Sequence, residues 1–228
     1  MKYLFKVTVL VALLGVTFSA RAAVNVTVDP GASWGGWMNV SELPENGGAY
    51  LWGSGWGTAD LNATFAGDTA ILMPNYSIGR DVPLTDAYWW KPDGTGNKWM
   101  EANFYVDGSA PLAPDEAVQF DYTVLSNTLL DPYTSAAFIK FFDAGWGLRG
   151  MVTSPLAPGA GMVSLSSSEA IEHYQYGFMT IGPNARLDEM QRLGMVMVTK
   201  GGGTPEIPEP GTLALLGLGV LPLIRRRK

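Results

Sequence analysis

Val24-Asn25-Val26-Thr27-Val28 sets valine at every second position with polar residues between, and Pro30-Gly31 follows at once. Alternation with period 2 is the pattern of a strand that buries one face, and a Pro-Gly pair ends it. Further short segments at 60–65, 69–73, 99–106, 117–125, 135–142, 161–165, 174–181 and 195–199 read as strands in the same way. Glycine, proline, asparagine and aspartate gather between them, as at Pro92-Asp93-Gly94, Asp107-Gly108 and Pro158-Gly159. A single helix-like stretch falls around 185–193. Many short strands with turn signals in one chain predict an all-β fold, a jelly-roll-like β-sandwich, with a closed barrel as the alternative.

Both ends of the chain are of a different character. Lys2 and Lys6 precede an apolar stretch at 7–18, and Ala20-Arg21-Ala22 supplies the small residues that signal peptidase requires before its cut. A signal helix at 1–22, cleaved before Ala23, is expected. At the other end Pro208-Glu209-Pro210 leads into an apolar run at 211–224, which Arg225-Arg226-Arg227-Lys228 closes. A run of about 14 residues is short against the roughly 20 that span a bilayer, but it can cross a thinned one with its terminal cations at the headgroups. Those cations would hold the end on the cytoplasmic side and leave the rest of the chain outside.

The order Pro-Glu-Pro, short Leu/Gly-rich apolar helix, basic cluster resembles the PEP-CTERM sorting signal of Gram-negative bacteria. The resemblance implies processing by exosortase and an association with extracellular polysaccharide, through a tail formed by Pro208, Glu209, Pro210, Arg225, Arg226 and Arg227. It covers about a tenth of the chain, so it speaks for route and destination and is silent on activity. The expected organisation is a signal peptide at 1–22, a β-sandwich at 23–200, a Gly/Pro linker at 201–207 and the sorting signal at 208–228, anchored in the membrane by its C-terminal helix.

Charge and composition narrow the middle region. It holds 8 basic against 19 acidic residues, a net charge of −11, which repels phosphate backbones and argues against nucleic-acid binding. With no cysteine, neither disulfides nor thiolate chemistry is available, and the single histidine, His173, excludes zinc sites built from several imidazoles. Calcium needs only oxygens, and Asp60, Asn62 and Asp68 are the candidate donors for a structural ion, although no Asp-x-Asp-x-Asp-Gly loop is present. Asn25, Asn39, Asn62 and Asn75 each open an Asn-x-Ser/Thr triplet, which reads as strand and turn composition.

The aromatic residues carry the functional signal. Six of the eight tryptophans lie within 34–90, in Gly-rich settings such as Trp34-Gly35-Gly36-Trp37 and Trp52-Gly53-Ser54-Gly55-Trp56. Indole faces stack on the C–H faces of sugars while nearby polar groups bond the hydroxyls; tryptophan is also a large core residue. Tyr88-Trp89-Trp90 precedes the polar loop 91–98, so Trp89, Trp90, Asn97 and Lys98 are the expected binding patch for a polysaccharide. Lys140-Phe141-Phe142-Asp143 with Trp146 and Arg149 reads instead as a solvated rim with a Lys–Asp pair, and Ser166-Ser167-Ser168-Glu169 as an exposed loop.

Catalysis has little support. Serine hydrolysis would depend on His173, and no Gly-x-Ser-x-Gly elbow exists. Glycoside hydrolysis needs two carboxylates; Glu169 with Glu172 and Asp115 with Glu116 are pairs that an acidic surface produces by chance. The expectation is an exported, non-catalytic, polysaccharide-binding module. The rivals are a matrix protein without a ligand and a glycan-processing enzyme.

Overall fold

In the computed structural model, which describes residues 23–109 and 111–201, the alternating segments pair into two sheets. In chain order the strands are β1 (Val24–Thr27), β2 (Trp34–Ser41), β3 (Tyr50–Gly55), β4 (Ala63–Ala66), β5 (Thr69–Leu72) and β6 (Trp99–Asp107). They continue with β7 (Ala117–Asn127), β8 (Thr134–Phe142), β9 (Leu148–Pro155), β10 (Gly159–Ser166), β11 (His173–Pro183) and β12 (Val196–Lys200). One short helix, α1 (Ser77–Asp81), interrupts them, and the helix-like stretch at 185–193 contributes a single 3-10 turn, Leu187–Glu189. The signal segment with Ala20 and Ala22, the anchor helix and the Pro-Glu-Pro and arginine positions of the tail lie outside the described residues. Among the described residues no helix is long and apolar enough to cross a membrane.

The first sheet runs β1-β7-β12-β5-β4, with β10 on the other side of β7. β7 is its spine: β10 pairs along 117–124, while β1 and β12 share the opposite edge end to end, β1 parallel at Val118 to Asp121 and β12 antiparallel beyond. The second sheet runs β3-β2-β6-β11-β8-β9 and is antiparallel throughout. The fold is thus the expected all-β sandwich.

Alternation decides which face each strand buries. On β7, Val118, Phe120, Tyr122 and Val124 point inward; on β6, Met100, Ala102, Phe104 and Val106 do; on β11, Tyr174, Tyr176 and Phe178. Aromatic rings knit the two layers: Phe120 lies 5.2 Å from both Tyr176 and Phe178, and Trp34 stacks on Phe104 at 4.3 Å. Offset and tilted ring pairs of this kind add about 0.5–1.5 kcal/mol each beyond their buried area.

The same period sends the alternate residues of β6, namely Glu101, Asn103, Tyr105 and Asp107, to the outer face of the second sheet. Gly35 and Gly177 stand directly across from Tyr105 on its two neighbouring strands. Neither glycine has a side chain, so the Tyr105 ring can lie over Gly35, while Gly177 is buried between Tyr105 and Phe138. A Cβ on Gly35 would touch the Tyr105 ring at 3.5 Å, and one on Gly177 would fall 2.1 Å from the Phe104 carbonyl oxygen.

Candidate functional site

A cleft of about 730 Å³ crosses this outer face. Its lining comes from β2 (Trp37, Asn39), β6 (Glu101, Asn103, Tyr105, Asp107), β11 (Gln175), β8 (Lys140, Phe142) and the β8–β9 turn and β9 (Trp146, Leu148, Met151). Five strands and one turn therefore build it, and only sheet register brings these residues together.

The floor is a connected polar network. The Trp37 indole N–H donates to Asn39 Oδ1 (2.9 Å), and Asn39 Nδ2 donates to Glu101 Oε1 (3.0 Å). Asn103 Nδ2 donates to the same oxygen (2.9 Å), and Lys140 Nζ donates to Asn103 Oδ1 (2.8 Å) and stands 3.9 Å from the Glu101 carboxylate. Gln175 Nε2 donates to Asp107 Oδ1 at 2.9 Å. Such networks fix side-chain rotamers before a ligand arrives, which lowers the ordering cost of binding. Burial pushes the Lys140 ammonium below the ordinary lysine range, with Glu101 acting against that, and burial followed by the Asp107 charge raises the Tyr105 phenol.

Two indoles stand at opposite walls. Trp37 is 42% exposed and Trp146 51%. Trp146 occupies a turn in which Asp143 does most of the holding: Asp143 Oδ1 accepts from the Gly145 and Gly147 amides at 2.9 and 2.8 Å, and Arg149 pairs with Oδ2 at 2.8 Å. These bonds, the Gly147 amide foremost, keep the Asp143 carboxyl below the usual carboxylate range. Trp146 has φ of 63°, a left-handed backbone that bulky residues rarely adopt, and its ring lies parallel to His173 at 4.2 Å. A strained backbone that holds a large apolar ring in solvent is a mark of function more than of folding.

The patch expected around Tyr88-Trp89-Trp90 is built differently. Trp90 is 2% exposed and among the largest fully buried side chains; Lys98 is 4% exposed, its ammonium bonded to Glu42 (3.1 Å) and placed over the Tyr88 ring at 4.5 Å. Asn97 spends its amide on the Ala87 carbonyl (2.9 Å), and Trp89 is half-buried edge-on to Trp52 and Tyr88. Burial of rings and pairing of the one ammonium lock this loop onto the rim of the sheet, so Trp90 and Lys98 are buried, while Trp89 and Asn97 are half-buried. Tyr88 is the exposed ring of the three.

The cluster read from sequence as a solvated rim borders the cleft. Lys140, Phe142 and Trp146 line the cleft, and only Arg149 and Asp143 form the simple ion pair. His173 supports the Trp146 ring. Sequence reasoning missed Trp37, Asn39, Glu101, Asn103, Tyr105, Asp107 and Gln175. The signal available was the polar outer row of β6, in which Asn103 is buried although it points away from the core.

The three candidate calcium donors do not converge. Asn62 is buried with its Oδ1 taken by the Ser77 hydroxyl, and the Asp60 carboxylate is paired with Arg80 at 3.0 Å. Asp68 sits at the opposite end of β4, roughly 13 Å along a strand of this length. Among the described residues no group of three or more histidine, aspartate or glutamate side chains is placed to hold a metal ion. Glu169, Glu172, Asp115 and Glu116 do not line the cleft.

Comparison with known proteins adds the route. No curated protein matches the chain. Among solved structures, the Glycosylation Associate Protein (Gap123) complex from Streptococcus agalactiae is similar over 72% of this chain and 25% of that chain, at 9% identity and a TM-score of 0.27. The chain thus spans a quarter of that protein's length, and a likeness this remote informs neither fold nor site. Residues 206–228 match the PEP-CTERM protein-sorting motif. That tail, following the β-sandwich, marks an exported protein sorted by exosortase.

Proposed function

We propose that the sandwich is a non-catalytic polysaccharide-binding module and that the cleft on its second sheet is the binding surface. The observation that carries this reading is the pairing of two exposed, pre-positioned indoles, Trp37 and Trp146, with a hydrogen-bonded polar floor between them. Indole faces take the C–H faces of sugar rings, and the amides of Asn39, Asn103 and Gln175 suit hydroxyl groups. The length of the cleft across the strands suits a chain of several sugars better than a single one.

Hydrolysis fits this cleft poorly. Its carboxylates, Glu101 and Asp107, are six residues apart on one strand. That separates them by about 20 Å, whereas glycosidases hold their pair within about 5–10 Å. Retention at the cell surface through the sorting tail, with exosortase as the processing partner, completes the reading.

The test is binding of a panel of soluble polysaccharides to the full chain in a non-sugar detergent, read by tryptophan fluorescence and iodide quenching. One polysaccharide is expected to shield a quencher-accessible fraction, and Trp146→Ala to weaken that binding about tenfold, or ~1.4 kcal/mol. A panel with no response leaves the matrix protein without a ligand as the better account.

A further inference from the structure

The charges of the cleft say which polysaccharide it takes. Its ionisable groups are Glu101, Asp107, Lys140 and the Tyr105 phenol, so carboxylates outnumber ammonium groups. The one cation, Lys140, is turned inward onto Asn103 and Glu101, with its ammonium over the Phe138 ring at 4.6 Å. The nearby Arg149 is neutralised by Asp143. A uronic-acid or phosphorylated chain would meet no free positive charge here and would face the −11 of the surrounding domain.

Asp107 is in the opposite condition. It is exposed, and no described lysine or arginine pairs with it. Gln175 is the direct cross-strand neighbour of both Asp107 and Lys140, which keeps those two about 10 Å apart and prevents them from pairing. The same glutamine donates to Oδ1 and so holds the carboxylate, which lines the cleft, and among the described residues no hydrogen bond or ion pair engages Oδ2. Two residues back on the same strand and the same face, the half-buried Tyr105 also lines the cleft and offers an aromatic ring near the negative charge. A carboxylate with one oxygen held and one free, next to an aromatic face, is a seat for an ammonium group.

We infer that the ligand is a polysaccharide bearing free amino groups, a partly deacetylated amino-sugar chain whose ammonium sits on Asp107 beside Tyr105 while Trp37 and Trp146 hold its ring faces. This rests on the cleft being a glycan site. It selects a class within that reading: cationic chains first, neutral chains weaker, polyuronates excluded.

The experiment compares three oligosaccharides of equal length on the full chain at mildly acidic pH and moderate salt: a glucosamine oligomer, its fully N-acetylated twin and an oligogalacturonate. Spermine serves as a cation without sugar rings. The expected result is a preference of about fivefold for the glucosamine oligomer over its N-acetylated twin. Asp107→Asn, which keeps the oxygen that Gln175 bonds, should abolish that preference, so that the two amino-sugar chains bind the variant equally. Trp146→Ala should weaken both oligosaccharides and leave spermine unaffected. Equal binding of the two amino-sugar chains, or a preference for the uronate, overturns the class assignment while the glycan reading stands. Glucosamine-oligomer binding that survives Trp146→Ala and matches spermine assigns the attraction to the acidic surface and overturns the inference. No binding of any oligosaccharide removes the glycan reading itself.

Discussion

Gly53 shows how one missing methyl group sets the shape of one wall of the cleft. A Cβ at this position would lie 2.6 Å from Asn39 Oδ1, 2.7 Å from the Tyr50 hydroxyl and 2.8 Å from Trp37 Nε1. All three are ends of side chains, so they can yield, and the fold would tolerate alanine. The indole could not keep its bond to Asn39, however, and the polar floor would lose its first link. Gly53→Ala is therefore expected to change the denaturation midpoint by less than about 1 kcal/mol while reducing polysaccharide affinity as much as Trp37→Ala does. Equal affinity in wild type and variant would show that the Trp37 pose is irrelevant. Asp143 acts on the other wall, and its effect follows pH. Its folded carboxyl sits below the usual range because the Gly147 and Gly145 amides and Arg149 favour the anion. A lowered folded value means that its contribution is complete above the unfolded value of about 3.9 and is lost as pH falls through the lower folded one. The near-UV circular dichroism of the Trp146–His173 stack should then persist through pH 4 and disappear only below it. In Asp143→Ala the signal should already be reduced at neutral pH, with polysaccharide affinity falling severalfold and the fold intact.

Among the connecting segments, the loop from Tyr88 to Lys98 buries its tryptophan, Trp90, and the turn from Asp143 to Gly147 exposes Trp146, so the proposed function divides folding and binding between the two. Trp90, buried at one end of the second sheet, is a structural residue, and Trp90→Ala should cost about 3–5 kcal/mol through the cavity it leaves. Trp146→Ala should shift the urea midpoint by about 0.5 kcal/mol or less and act on binding alone. Reversal of those two effects would exchange the roles assigned to the loop and the turn. Legibility in the sequence followed the same division. β6 and β7 were readable because apolar and polar residues alternate along most of their length, and β8 and β11 because they carry long stretches rich in apolar residues. β2 and β3 were hidden because Trp34-Gly35-Gly36-Trp37 and Trp52-Gly53-Ser54-Gly55 have no apolar period, their glycines making room for indoles instead. β9 was hidden because an edge strand carrying Arg149, Thr153 and Ser154 buries too little to show a pattern. The cleft was hidden for a related reason: a run of adjacent aromatic residues is visible in a chain, whereas Trp37, Asn103, Lys140 and Gln175 become neighbours only through the pairing of β2, β6, β11 and β8.

At the scale of the whole molecule, the position of the cleft relative to the chain's exit bears on what a sorting tail would achieve. The described chain ends at Gly201, whose amide donates to Thr27 Oγ1 at 3.1 Å, where β1 and β12 meet along β7 in the first sheet. The cleft opens on the outer face of the second sheet, across the core from that point. A copy tethered through its tail would thus carry the cleft on the layer away from the tether. A shallow, open site with two stacking rings suits weak single contacts, and retention of a polymer would come from many copies gripping one chain. Linking sites in this way raises overall avidity by about 10²–10⁴ without any new contact, provided the geometry allows simultaneous engagement. Vesicles bearing many copies of the full chain should therefore hold a long polysaccharide at least about a hundredfold more tightly than single copies in detergent. The advantage should vanish for oligomers too short to bridge two copies, and Trp146→Ala should remove it altogether. Equal affinity of vesicles and single copies for the long chain would mean that copies do not act together, and that surface display contributes location without grip.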